Sequence, residues 1–121
     1  MKKNRIIHLS ATDVDAILVA LGIIPYADFD TPPEQMELNC FLAQSAAQKL
    51  IAKKSDLSPN ETRIIGASVI LARDCLSGLA DISIPSSLRN NLQPYFFNYN
   101  RLAPQYDEIN HLNLKDLDYQ M

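Results

Sequence analysis

Glu108 and His111 stand three residues apart, the E-x-x-H spacing with which helical bundles hold di-iron centres, because side chains three apart on a helix project the same way. The pair occurs once. A bundle centre needs a second copy and two further inward-facing glutamates, so a surface pair near a helix end is expected and no metal ligand is assigned. His8, between Ile7 and Leu9, reads as a turn or packing residue. The serines form no G-x-S-x-G elbow, and the three glycines, Gly22, Gly66 and Gly78, are too scattered for a phosphate-cradling loop. The carboxylates are dispersed or stand at helix starts, so no acid/base pair can be nominated. Cys40 and Cys75 each fall among apolar residues of a helical stretch, where free cysteine behaves as a small hydrophobe. The expectation is a non-enzymatic protein without a cofactor.

A different chemistry is concentrated at the C-terminal end. Six of the nine aromatic residues, Tyr95, Phe96, Phe97, Tyr99, Tyr106 and Tyr119, lie within the last 27 positions. With Asn98, Asn100 and Arg101 interleaved, YFFNYNR has the composition of a stacking platform. Asp107, Glu108, Asp116 and Asp118 follow, against Lys115 alone, and this acidic surround argues against a nucleic-acid partner. Tyr, Phe and Arg are enriched at protein interfaces, so Tyr95, Phe97 and Arg101 are candidate protein contacts. Core packing is the competing role, above all for Phe96 and Tyr99.

The elements that must position these residues are signposted by their starts. Ser10–Asp13, Thr31–Glu34 and Ser58–Glu61 each place a hydroxyl three positions before a carboxylate, the pattern in which both cap the free N–H groups of a first helical turn. In the last two, a proline takes the first helical position, where its missing N–H costs nothing. Gly22, the polar run Lys53–Asp56 and Gly78 supply stops. Helix one is therefore expected over Ala11–Leu21, helix two over Pro32–Lys53 and helix three over Pro59–Ser77. Pro85, Pro94 and Pro104 delimit short C-terminal helices, with Leu88, Leu92, Phe96 and Tyr99 on one stripe that Pro94 kinks or restarts and a last turn or two from Pro104. Only RIIHL and DISI have strand character, both briefly. The fold class is all-α, a bundle around the antiparallel hairpin of 32–53 and 59–77. Residues 1–112 form a single domain, with 113–121 a loosely held tail.

Periodicity then raises a packing problem. Helix three gathers Ile64, Ile65, Ser68, Val69, Leu71, Ala72, Cys75, Leu76 and Leu79 on one broad arc, while its other side carries Arg63, Arg73 and Asp74 around the small Gly66, Ala67 and Ser77 and the lone aliphatic Ile70. That second face invites the backbone of another chain and makes Gly66, Ile70, Arg73 and Ser77 candidate interface residues. Helix two is apolar around almost its whole girth and reads as central. Two such helices are hard to cover in 121 residues, so a homodimer is expected.

Net charge is −3 with a sequence pI near 5.2, which gives no overall pull towards phosphate or anionic lipid. No apolar run is long enough to span a bilayer, and the opening MKKNRIIHLSATD is too brief an apolar stretch for a signal peptide. A cytoplasmic, protein-binding regulator, adaptor or inhibitor is the expected function. The alternative is a small-molecule site between the hairpin and the aromatic C-terminal segment. LSATDVDAILVAL and LSPNETRIIGASV share the serine-to-acid spacing, which any two capped amphipathic helices would show.

Overall fold

Ser58 and Ser10 begin their helices as their spacing predicts. Each hydroxyl accepts the N–H three residues on, from Glu61 and Asp13, at 3.1 Å, and each of those carboxylates returns to the serine N–H, at 2.8 and 3.0 Å. The computed structural model describes residues 5–27, 32–80, 82–109 and 117–121. It is all-α, with helices α1 Ala11–Ala20, α2 Pro33–Ile51, α3 Pro59–Ser77, α4 Ser86–Leu92 and α5 Phe96–Ile109. Two short strands, β1 Arg5–His8 and β2 Leu117–Gln120, pair in parallel, with Ile7 opposite Tyr119.

Several boundaries differ from expectation for local reasons. Gly22 does not stop the first helix; the chain tightens into a 3₁₀ segment, Leu21–Tyr26, that buries Leu21, Ile23 and Ile24. Thr31 lies outside the described residues, and α2 starts at Pro33 behind Pro32 with no side-chain cap. Its last residue is Ile51, and the turn beyond it closes at Lys53, φ 57°, where the N–H groups of Lys53 and Lys54 return to Leu50 and Lys49. That is the closure glycine usually provides, and Gly78 provides it for α3. Pro94 sits in a 3₁₀ link, Gln93–Tyr95, between α4 and α5, as the restart reading requires. Pro104 does not begin a helix; it lies inside α5. Both Pro104 and Asn100, whose carbonyl loses a donor to the proline, are exposed, so water can complete the bond.

The central helix is α3. It buries Ile64, Ile65, Gly66, Ser68, Val69, Ala72 and Cys75, and α5 crosses it with a buried face of Tyr99, Leu102, Ala103 and Tyr106. Gly66 makes that crossing possible: a Cβ there would stand 3.0 Å from Cδ1 of Tyr106. Leu79, past the Gly78 cap, is exposed instead of joining the arc. The expectation that helix two is central is corrected. It buries only Ala43, Ala46 and Leu50 and lies at the edge, because α5 and the 3₁₀ segment take the places around α3.

The loosely held tail is also corrected where the chain is described. Leu117–Gln120 pairs with Arg5–His8, and Tyr119 buries its ring and joins a hydroxyl chain to Tyr106 at 3.1 Å and Thr62 at 3.4 Å. A buried tyrosine hydroxyl needs such partners. Residues 113–116 of that expectation lie outside the described residues.

Candidate functional site

The two capping-box acids do more than cap. Asp13 and Glu61 are both buried, and each draws donors from another helix. Asn98 Nδ2 donates to Asp13 Oδ1 at 2.8 Å, and the Arg101 guanidinium donates to the same oxygen. Ser45 Oγ donates to Glu61 Oε2 at 2.6 Å and Lys49 Nζ to Oε1 at 2.8 Å. Burial opposes the charged form of each acid. The hydrogen bonds outweigh it, holding Asp13 below its ordinary range through Arg101, Ser10 and Asn98, and Glu61 at about 2 through Lys49, Ser45 and Ser58. Each acid accepts three hydrogen bonds, and through them the pair ties α1 to α5 and α2 to α3.

The other reactive groups are similarly occupied. Cys75 is buried and Cys40 half-buried, both as free thiols. Burial raises the Cys75 pKa, against the pull of Arg89 and with some help from Asp74, so it is no poised thiolate. Tyr99 donates to the Ala16 carbonyl at 2.7 Å from a fully buried position. Among the described residues, no three His, Cys, Asp or Glu side chains gather to hold a metal, and no helix is long and apolar enough to cross a membrane. Glu108 is described, whereas His111 lies outside the described residues.

The candidate interface residues scatter. Gly66 is covered by Tyr106 of its own chain, so no partner backbone can reach it, and Ile70 is half-buried against the same core. The small-residue side of α3 therefore serves α5 of the same chain at that point, which corrects the expectation for Gly66. Arg73 binds Asp74 at 3.0 Å, and Ser77, though exposed, donates back to the Arg73 carbonyl at 2.7 Å. Arg101 is engaged by Asp13, and Tyr95 packs on the core. Phe97 alone projects fully, 86% exposed.

Phe97 stands on a groove of about 360 Å³ lined by Leu76, Arg89, Gln93, Pro94 and Phe96. It runs between α3 and the α4–α5 junction, between the hairpin and the aromatic segment. Leu76 was expected on the core arc of helix three, and Arg89 and Gln93 were not singled out by sequence; Arg89 is a lone cation between Pro85 and Pro94, a signal too common to select it. A second groove, about 380 Å³, lies beside α2 and is lined by Pro25, Met36, Glu37, Cys40, Phe41 and Gln44. Along the same helix Leu38, Phe41 and Ile51 are 48%, 65% and 68% exposed. Comparison of the chain with protein-family models, with curated proteins and with solved structures finds no match.

Proposed function

We propose that this chain is a small, non-enzymatic protein-binding module, a regulator, adaptor or inhibitor, that presents its binding groove from a homodimeric helical core. The observation that carries the reading is Phe97, a large aromatic left almost wholly in water on the rim of a groove that sets Leu76, Pro94 and Phe96 beside Gln93 and one guanidinium, Arg89. Exposed aromatic anchors beside a cation suit a partner segment with an apolar side chain and a carboxylate. The cytoplasm is the proposed compartment, supported by two thiols that pack as separate hydrophobes. The net charge of −3 supports a partner other than nucleic acid.

A second reading, a small-molecule site, is favoured by the position of this groove between α3 and the aromatic segment and by its size of about 360 Å³, within the range of ligand pockets. Affinity purification from the native cell, run in parallel with wild type, Phe97→Asp and Arg89→Glu and read by mass spectrometry, separates the two. Proteins retained by wild type and lost from both variants support the module. A metabolite retained and lost in the same pattern supports the second reading, and identical recoveries from all three contradict both.

A further inference from the structure

We infer that the outer face of α2 is covered by α2 of a second copy, the two helices running antiparallel about a two-fold axis near Gln44 and Ser45. The inference deepens the homodimeric part of the proposed function and rests on it. Three observations converge on a second copy as the occupant.

The first is apolar side chains without cover. Ala43, Ala46 and Leu50 face the core; at 100° per residue Phe41 points directly away from them, with Leu38 and Ile51 on its two flanks. The second is a matching recess. The groove lined by Pro25, Met36, Cys40 and Phe41 lies on the same flank of α2 as Ile51, about ten residues, or roughly 15 Å, nearer the N-terminus. A two-fold axis perpendicular to the helix and midway between them keeps the flank and reverses the direction. It therefore lays Ile51 of each copy over the groove of the other, and the contact is made twice, as an isologous interface requires.

The third observation is charge. The same axis brings the start of one α2, where Glu34 and Glu37 are exposed, beside the end of the other, where Lys53 and Lys54 are exposed, with Asp56 the one acid close behind them. Parallel pairing would set like charges together. The acids and lysines lie outside the apolar centre, so they select orientation and register more than they supply affinity.

Sedimentation equilibrium from about 1 to 100 µM tests the arrangement on wild type, Phe41→Asp, Glu34→Lys with Glu37→Lys, Lys53→Glu with Lys54→Glu, and all four reversals together. Wild type should be dimeric, and Phe41→Asp monomeric with unchanged helical circular dichroism. Each pair of reversals should weaken association about tenfold, and the fourfold reversal should recover most of it. A wild type monomeric throughout overturns this inference and the homodimeric reading together. A dimer indifferent to Phe41→Asp and to the reversals overturns the α2 arrangement and leaves the homodimer standing on another surface.

Discussion

The carboxylate of Asp13, in the first turn of α1, is held by the guanidinium of Arg101, 88 residues further along in α5. A single buried acid thereby closes its own capping box and fixes α5 against α1. Asp13→Ala removes both roles and leaves Asn98 and Arg101 without their acceptor. The expected cost is about 2 kcal/mol, or roughly 10 °C in melting temperature for a domain of this size. Differential scanning calorimetry checks it; a shift below about 2 °C would show that neither the cap nor the pair with Arg101 contributes measurably.

Acid should unfold the protein through the same groups. Glu61 falls from an ordinary 4.5 to about 2 in the folded chain, and Asp13 is also lowered. Depressed folded-state values mean that their contribution is complete above about pH 4.5 and is lost as pH falls towards 2. For Glu61 that contribution is on the order of 2–3 kcal/mol. Urea midpoints should decline across this window in wild type and much less in Glu61→Gln, which lacks the titrating group. Parallel declines in both proteins would place the acid sensitivity elsewhere.

The capping boxes at Ser10 and Ser58, the Gly78 stop and the Pro94 restart were legible because each depends on residues within a few positions of one another. The partners of Asp13 and Glu61 were not, since no local pattern announces that Arg101 or Lys49 folds back onto a cap. Helix two misled for a related reason: its apolar girth is real, but periodicity reports which faces are apolar and not whether the same chain covers them. The pairing of Arg5–His8 with Leu117–Gln120 joins the two ends of the chain. RIIHL carried strand character, yet LDYQ carried none that could be read without its neighbour. Of the candidate site, Phe97 was legible as an aromatic spared from the α5 stripe, whereas its groove depends on where Leu76 and Arg89 come to rest.

Gly66→Val should show how closely α5 approaches α3. The new Cβ would meet Tyr106 Cδ1 at 3.0 Å and Cβ at 3.2 Å, and its methyl groups need room that the crossing lacks. Overpacking of this kind costs about 1–3 kcal/mol, more than the helix propensity gained by replacing glycine. A lower denaturation midpoint is expected; an unchanged or higher one would mean that Tyr106 can step aside.

Deleting Leu117–Met121 should destabilise the protein markedly. It removes the partner strand of β1, uncovers Ile7 and strips the Tyr106 hydroxyl of its Tyr119 partner. A loss of at least about 2 kcal/mol in urea unfolding is expected from the lost ring and the unpaired buried hydroxyl. A truncated chain as stable as wild type would restore the picture of a loosely held end.

The most direct test of the account is a distance between copies. With Cys40→Ser and Cys75→Ala in the background, a nitroxide attached at Gln44→Cys reports across the inferred two-fold axis by pulsed dipolar spectroscopy. Packed helices lie about 8–10 Å apart, so an antiparallel α2 pair centred there predicts a narrow label-to-label distance below roughly 25 Å, lost on addition of Phe41→Asp. A dimer that gives only a long or broad distance from this position would contradict it.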